Sequence, residues 1–408
     1  MLVINLEKAR FLTTMILKSV VIKKQGFNST YRSIVRKYRL SEREAEQYYR
    51  LLYNIVMYYH SLKFLAGYFG FKSSIQGIVE YLYKRGFTWQ LIKEDIENTA
   101  KNFSKLTKIS LLYSYPLWLI KDLSSKISLV DLELMFKSLN TRKRWLRANL
   151  SRYALEEVIA CLESSKLDVK RHDVFHDIFQ LKDPFEKIGK NPCILKGVVI
   201  PQDISSYIVG LIAQSYALGD FLDACSSPGL KLVQVASNCK VKRLVAVDLS
   251  ERRVKIIPKT FSLITFQVNP IVLVIQGDSR RINYNIKFDM VLLDAPCSNS
   301  GAIYDDPAFK IRLSRNLIKR AHIIQYSLLS NLLKQGKLVL YATCSIHPLE
   351  GEEIIERVLV EHDVDLVKIN YPYLESGYGK YAFSHSVYRI YPHRIQGQGF
   401  FIALLKPR

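Results

Sequence analysis

The sequence predicts a predominantly α/β protein in three parts: an all-helical N-terminal domain over residues 1–138, a small α+β module over 139–200, and an open, mostly parallel sheet with flanking helices over 201–408. Three observations predict it. Apolar residues recur at three- and four-residue spacing through the first third of the chain, as in Ile55, Tyr59, Leu62 and Leu65. After residue 218, short apolar runs alternate with helical stretches, the pattern of parallel strands joined by crossover helices. Each of the first five apolar runs also leads into a carboxylate or a thiol.

The helical pattern runs from about residue 5 to 137. Ser41 followed by Glu44 has the spacing of a capping box opening a helix through Glu46 and Leu51. The stretch Leu51 to Phe71 is almost continuously apolar and about long enough to span a bilayer, yet it contains His60 and Lys63. Because a central Lys costs roughly 2.5–3.5 kcal/mol in a membrane, a buried helix is the better reading, and no membrane association is expected. Arg144–Asn149 then reads as a strand, Leu155–Leu162 as a helix and Val174–Leu181 as a strand. Pro184, Gly189 and Pro192 mark a turn-rich connection to a helix starting near Asp203. Beyond it, Asp220–Ala224, Arg243–Asp248, Ile271–Gln276, Phe288–Asp294 and Lys337–Thr343 read as buried strands, with a late one at Gly399–Leu405.

Composition narrows the function classes. With 49% hydrophobic and 24% charged residues, the 408-residue chain is an ordinary folded protein with little room for disorder. Its 59 Lys+Arg against 37 Asp+Glu give a formal charge of +22, which concentrates polyanions around it and puts nucleic acid ahead of anionic membrane as partner. The cluster Arg32, Arg36, Lys37 and Arg39 reads either as a solvated face or as part of a phosphate-binding surface. The six cysteines contain no CxxC pair, so neither a zinc site nor a disulfide framework is expected, and no metal is implied. Cys161, Cys193 and Cys239 read as small buried hydrophobes, and so does Cys225 unless it lines the cofactor loop. Glu7, Lys8 and Arg10 interrupt the first apolar residues, so no signal peptide is expected and the thiols should be reduced, inside the cell.

In an open α/β sheet, ligands bind outside the carboxyl ends of the strands, so the residues that close the strands should converge on one site. Asp223-Ala-Cys-Ser-Ser-Pro-Gly-Leu-Lys231 follows the first strand and opens a helix; small residues there allow close backbone approach, and the helix start offers free N–H groups to a carboxylate. Asp248 can accept both hydroxyls of an adenosine ribose, or it caps the helix near Glu251. Asp278 can accept from an adenine amino group, or it is a turn residue. No GxGxxG and no GxxxxGK[ST] follows any strand, which disfavours NAD and ATP and favours S-adenosylmethionine.

Cys297, in Asp294-Ala-Pro-Cys-Ser, and Cys344, in Thr-Cys-Ser, follow the fourth and fifth strands. Free cysteines are most often buried hydrophobes, but two thiols in polar loops at the ligand edge of one sheet point to chemistry. Carbon 5 of cytosine is a poor nucleophile, and temporary addition of a thiolate at carbon 6 activates it. Asp294 would hold the ring nitrogen and exocyclic amine, and Cys297 would assist removal of the carbon-5 proton and expulsion of the thiol.

These residues resemble the Nol/Nop/Sun family of S-adenosylmethionine-dependent RNA cytosine-5 methyltransferases. Trp145–Asn149, Gly197–Asp203 with Ser205 and Ser206, Asp223–Lys231, Asp294–Ser298 with Gly301 and Pro307, Thr343–Ser345, and Pro392-His393 to Gly399-Phe-Phe401 occur in the family's order. The likeness covers roughly 140–408, and the N-terminal helices look like the NusB-like RNA-binding domain of some members. The resemblance implies a Rossmann-like, seven-stranded methyltransferase domain with its last strand antiparallel, with Cys344 as nucleophile and Cys297 aiding product release. It also implies cofactor contacts at Cys225, Ser226, Ser227, Pro228, Gly229, Leu230, Lys231, Asp248, Asp278 and Asp294, to which Arg253 is added. Three positions depart from the pattern: Leu230 stands for a second glycine, Asn299 for a glycine, and Gly351 for an asparagine. The expected substrate is rRNA, with tRNA next, on a monomeric enzyme of the cytoplasm, or of the nucleolus in a eukaryote. Two rivals stand beside it: a silent RNA-binding ribosome assembly factor, which the intact cysteines oppose, and a methyltransferase acting on another base or on protein, whose amino-nitrogen form would carry an Asn/Asp-Pro-Pro-aromatic motif that is absent at 294–297.

Overall fold

Helix-forming periodicity governs the first third of the chain in the computed structural model, which describes residues 5–237, 240–265 and 270–408. Cys239 lies outside the described residues. The chain divides into two compact units: one holds the residues up to Thr141 together with Ala302–Leu317, the other Arg142–Gly301 with Ile318–Arg408.

The first unit is helical, with no strand among its described residues. Ser41 and Glu44 form the expected capping box: Glu44 N donates to Ser41 Oγ at 3.3 Å, and Ser41 N donates to Glu44 Oε2 at 3.0 Å. The long apolar run is split at Tyr58 into helices Glu42–Met57 and Tyr59–Tyr68. Leu51, Leu52, Ile55, Leu62 and Leu65 are buried, while Lys63 reaches solvent. No described helix is long and apolar enough to cross a membrane.

Segment Ala302–Leu317 lies, by sequence, within the expected third domain, yet it packs with the helical unit. Local periodicity cannot tell which body a short helix will join. Its docking is electrostatic as well as steric. Asp306 accepts from Phe27 N at 2.9 Å, at the positive end of helix Phe27–Lys37, and Asn28 Nδ2 donates to Asp305 O at 2.7 Å. Lys310, fully buried, donates through Nζ to Met57 O at 3.0 Å, Tyr113 O at 2.9 Å and Asn140 Oδ1 at 2.5 Å. Those three residues are the last of helices Glu42–Met57, Lys105–Tyr113 and Leu129–Asn140, so one buried amine, pushed well down by burial, ties three helix ends through two terminal carbonyls and one side-chain amide. The Tyr115 ring lies 4.1 Å from Nζ and adds a cation–π contact.

The second unit carries two sheets. The smaller is antiparallel in the order β2-β3-β1-β4, with β1 Trp145–Ala148, β2 Val169–Arg171, β3 Ile178–Leu181 and β4 Val199–Pro201. The expected strands at 144–149 and 174–181 correspond to β1 and β3; β2 and β4, three residues each, are too short to show a period. Two of the motif segments meet here, since Arg147 pairs with Ile200 across β1 and β4. The expectation of unpaired thiols fails in this module: Cys161 and Cys193 form a disulfide, with Cα atoms 6.0 Å apart. They are 32 residues apart, and only the packing of helix Leu155–Ser164 against the turn at Pro192–Leu195 brings them together.

The larger sheet has β5 (Gly219–Asp223), β6 (Val241–Asp248), β7 (Ile271–Gln276), β8 (Met290–Asp294), β9 (Val339–Thr343), β10 (Val364–Val367), β11 (Glu375–Ser376), β12 (Tyr388–Ile390) and β13 (Phe400–Pro407). β7-β6-β5-β8-β9 run parallel, and β13 is antiparallel to β9. The far edge of β13 is shared by β10 and β12, and the short pair β11–β12 extends the expected seven strands to nine. Alternate strand residues feed two cores: Phe221, Leu244, Leu292 and Leu340 face one set of helices, Leu222, Val245, Leu293 and Tyr341 the other. With both faces covered, the strands read as continuous apolar runs and their polar residues are confined to the ends.

Replacing Lys310 by Met should lower stability by about 3 kcal/mol, because it removes the donor from three buried acceptors. Urea denaturation of the full chain checks this: the midpoint should fall, whereas an unchanged midpoint would mean that Lys310 anchors nothing.

Candidate active site

The strand order reverses between β5 and β8: β6 and β7 follow on one side of β5, β8 and β9 on the other. That reversal opens a crevice at the carboxyl ends of β5 and β8, and the residues that close the strands gather around it. Asp223 closes β5 and is buried; burial first, and then the charge of Asp294, push its carboxyl up to about 7. The loop after it is pinned by Ser226 N donating to Val247 O at 2.9 Å and by Gly229 in the left-handed region, φ 93°, before helix Leu230–Ala236 begins. Cys225 is raised by burial and then by Asp223, Asp294 and Asp248, so it is a protonated thiol in the loop wall.

Asp248 closes β6. Its Oδ2 accepts from Ser227 N at 3.3 Å and lies 3.4 Å from Arg253, and its Oδ1 accepts from Ser250 N at 3.0 Å. Ser250 occupies the N-cap of helix Glu251–Val254, so Asp248 instead makes the turn before it and braces the loop. Arg253 Nη2 also donates to Ser227 O at 2.7 Å, which ties the second strand's loop to the first. Asp278 follows β7 and is engaged by Arg280 at 2.6 Å, whose guanidinium holds its carboxyl below the usual range. Ser279 Oγ donates to Ala224 O at 2.7 Å and brings that turn against the β5 loop. Lys231 Nζ meets Asp294 Oδ2 at 2.6 Å.

The two cysteines face each other, with Cys297 Sγ and Cys344 Sγ 3.1 Å apart. The Cys297 sulfur and burial push the Cys344 thiol well up, because a second negative charge on the pair would sit beside the first. Asn299 has φ 56°, a left-handed conformation that asparagine tolerates where glycine is usual. Its side chain is not idle: Cys344 Sγ donates to Asn299 Oδ1 at 3.3 Å, and Asn299 Nδ2 donates to Cys297 O at 3.3 Å. Gly301 N donates to Cys344 O at 2.9 Å, and a Cβ on Gly301 would fall 2.2 Å from Gly399 O, so this crossing requires glycine. Gly351 is equally constrained, since a Cβ would lie 2.7 Å from the Phe401 ring and 3.0 Å from Arg389 Nη2. Leu230, the third departure, is the first residue of its helix and is half-buried.

Sequence reading singled out Gly351 and passed over its neighbour Glu350. Glu350 is completely buried, and its carboxylate accepts from Ser298 and Ser345, the residues that follow the two cysteines. The one signal in the sequence was its place shortly after Thr-Cys-Ser, between the turn residues Pro348 and Gly351.

Three carboxylates, Asp223, Asp248 and Asp294, surround the small-residue loop, with Lys231 and Arg253 as the cations paired to two of them. Such a donor set suits a ligand with hydroxyls and positive charge and opposes a pyrophosphate. Among the described residues no cluster of His, Cys, Asp and Glu could hold a metal.

Residues 216–406 match the family described as 16S rRNA methyltransferase RsmB/F. Ribosomal RNA small subunit methyltransferase B of Vibrio vulnificus is 28% identical over 253 residues, 60% of this chain and 58% of that protein. The Serratia proteamaculans protein of the same name is 26% identical over 77% of this chain and 69% of its own length. The chain thus spans between about half and two thirds of the relatives it matches. Among solved structures, that of PH0851 superposes with a TM-score of 0.78 over 99% of both chains at 22% identity. A methyltransferase homolog from Pyrococcus horikoshii gives 0.62 over 75% of this chain and all of its own, at 23% identity. At these identities the structures establish a shared fold.

Burial of Asp223 has a pH signature. Its folded value of about 7 lies above the ordinary 3.8, so folding takes up a proton between those values and stability falls as pH rises from about 4 to 7. Asp223→Asn should gain stability relative to the parent across that window and hold the gain above it. Thermal melts at a series of pH values test this; curves that stay parallel from pH 4 to 7 would refute the assignment.

Proposed function

We propose that the chain, whose residues 216–406 match the RsmB/F methyltransferase family, transfers the methyl group of S-adenosylmethionine to carbon 5 of a cytosine in ribosomal RNA. The observation that carries this reading is the pair of strand-end thiols 3.1 Å apart beside Asp294. The names of its relatives, which are bacterial small-subunit rRNA methyltransferases, favour rRNA over tRNA and a cytoplasmic setting. The surplus of Lys and Arg suits an RNA partner.

S-adenosylmethionine supplies an electrophilic methyl group. The loop at Cys225–Lys231 and Asp248 with Arg253 would hold it, with Asp278 beside them once Arg280 yields. The target base is turned out of the RNA to reach the crevice. Cys344 Sγ, having lost its proton, adds to carbon 6, and the electron pair of the 5,6 double bond becomes available at carbon 5. Asp294 would accept from the exocyclic amine and hold the ring in place as the bond forms. Carbon 5 would take the methyl group as its bond to the sulfonium sulfur breaks, the electron pair staying on that sulfur and S-adenosylhomocysteine leaving. Removal of the carbon-5 proton then restores the double bond and expels Cys344, with Cys297 next to the departing sulfur. Because its sulfur neighbour and burial raise Cys344, losing that proton is a demanding step.

Incubating the Cys297→Ala protein with rRNA and S-adenosylmethionine should trap a protein–RNA adduct that survives denaturation, because addition proceeds and release stalls. Cys344→Ala should form no adduct and lose activity by about 10⁴-fold or more. Absence of the adduct, together with full methylation by Cys344→Ala, would falsify the mechanism.

A further inference from the structure

Glu350 sits where a buried carboxylate has no ordinary business. It is 0% exposed, and no Lys or Arg among the described residues pairs with it. Four neutral donors satisfy it instead. Oε1 accepts from Ser298 N at 2.8 Å and Gln325 Nε2 at 3.1 Å, and Oε2 accepts from Ser298 Oγ at 2.5 Å and Ser345 Oγ at 2.7 Å. Its own carbonyl accepts from Tyr341 OH at 2.9 Å and Thr343 Oγ1 at 3.0 Å, on the strand that leads into Cys344.

The donors come from both cysteine loops. Ser298 follows Cys297 and Ser345 follows Cys344, so one rigid carboxylate spans the two, one residue from each sulfur. A secondary tie runs beside it, with Ser300 Oγ and Ser345 Oγ 2.9 Å apart and Ile346 N donating to Ser300 Oγ at 3.1 Å. Gln325 Nε2 also donates to Pro296 O at 2.9 Å, so the same amide fixes the Cys297 loop from its other side. A planar acceptor with two oxygens can serve both loops at once. A neutral amide in its place would turn one acceptor into a donor facing other donors.

We propose that Glu350 is the positioning residue that holds the Cys297 and Cys344 loops in register, and so sets the separation of the two thiols. It touches neither sulfur and acts through Ser298 and Ser345. The proposal rests on the cysteine-pair reading of the reaction but predicts a geometry that can be measured without RNA. A mild azo oxidant such as diamide takes two electrons and two protons from a pair of neighbouring thiols, leaving a disulfide and a hydrazide. In the parent protein the short sulfur separation makes Cys297 and Cys344 a fast pair for this oxidation.

The experiment follows the cross-link between the peptides of Cys297 and Cys344 by mass spectrometry after diamide, beside steady-state methylation. In Glu350→Gln the cross-link should form about 10-fold more slowly and kcat should fall about 10-fold or more, while KM for RNA and for S-adenosylmethionine stays within about 2-fold. Ser298→Ala and Ser345→Ala, which keep the buried carboxylate, should each give a smaller loss in the same two readouts, and they carry the test if Glu350→Gln does not fold. Cross-linking at the parent rate in these variants overturns the proposal, as does a loss of kcat accompanied by an equal rise in both KM values. Rapid cross-linking in the parent together with no RNA adduct in the Cys297→Ala protein would instead sink the proposed reaction and leave the positioning role standing.

Discussion

The reversal of strand order between β5 and β8 is the constraint on which the rest of the molecule depends. Parallel strands covered by helices on both faces have no room for polar side chains along their length. Whatever polar chemistry the domain holds is therefore pushed to the strand ends, and the crevice at the reversal is where the ends of neighbouring strands are least crowded. Asp223 from β5 and Asp294 from β8 stand on either side of it, with Asp248 one strand away and Cys344 one strand away in the other direction. No residue in this set is near another in sequence; the sheet order alone makes them a site.

Electrostatics at the crevice divides into two regions. Around the Cys225–Lys231 loop the carboxylates are close enough to raise Asp223 and Cys225, and Lys231 and Arg253 moderate but do not cancel them. On the cysteine side Glu350, behind the thiols, is buried and consumed by neutral donors. The first region is arranged to attract a cation-bearing ligand and the second to hold two loops still. Ion pairing in the first leaves charge to interact with a ligand; complete hydrogen bonding in the second leaves none to spare.

The three departures from the family pattern acquire separate explanations. Gly351 has no space for a side chain, because Arg389, paired with Glu352 at 2.5 Å, and the Phe401 ring occupy the volume. Asn299 keeps the left-handed backbone and adds contacts to both cysteines, so the substitution brings a polar group to the thiols that a glycine lacks. Leu230 begins a helix where its neighbour Gly229 already provides the left-handed turn; nothing in the structure explains the choice of leucine there.

Reading along the chain was enough to place the five parallel strands with β1, β3 and β13, the helical character of the first third and the capping box at Ser41, because those features are written in the periodicity and turn chemistry of adjacent residues. It was also enough to set Cys297 and Cys344 at the same edge of one sheet. The 3.1 Å between their sulfurs, the bridge by Glu350, the Cys161–Cys193 bond and the capture of residues 302–317 by the helical unit through Lys310 were decided only in three dimensions. Each depends on which faces of distant segments meet, and a single sequence carries no signal for that. A buried glutamate and a buried lysine look, in one dimension, like the surface residues they most often are; only the packing around them shows that one joins two loops and the other three helix ends.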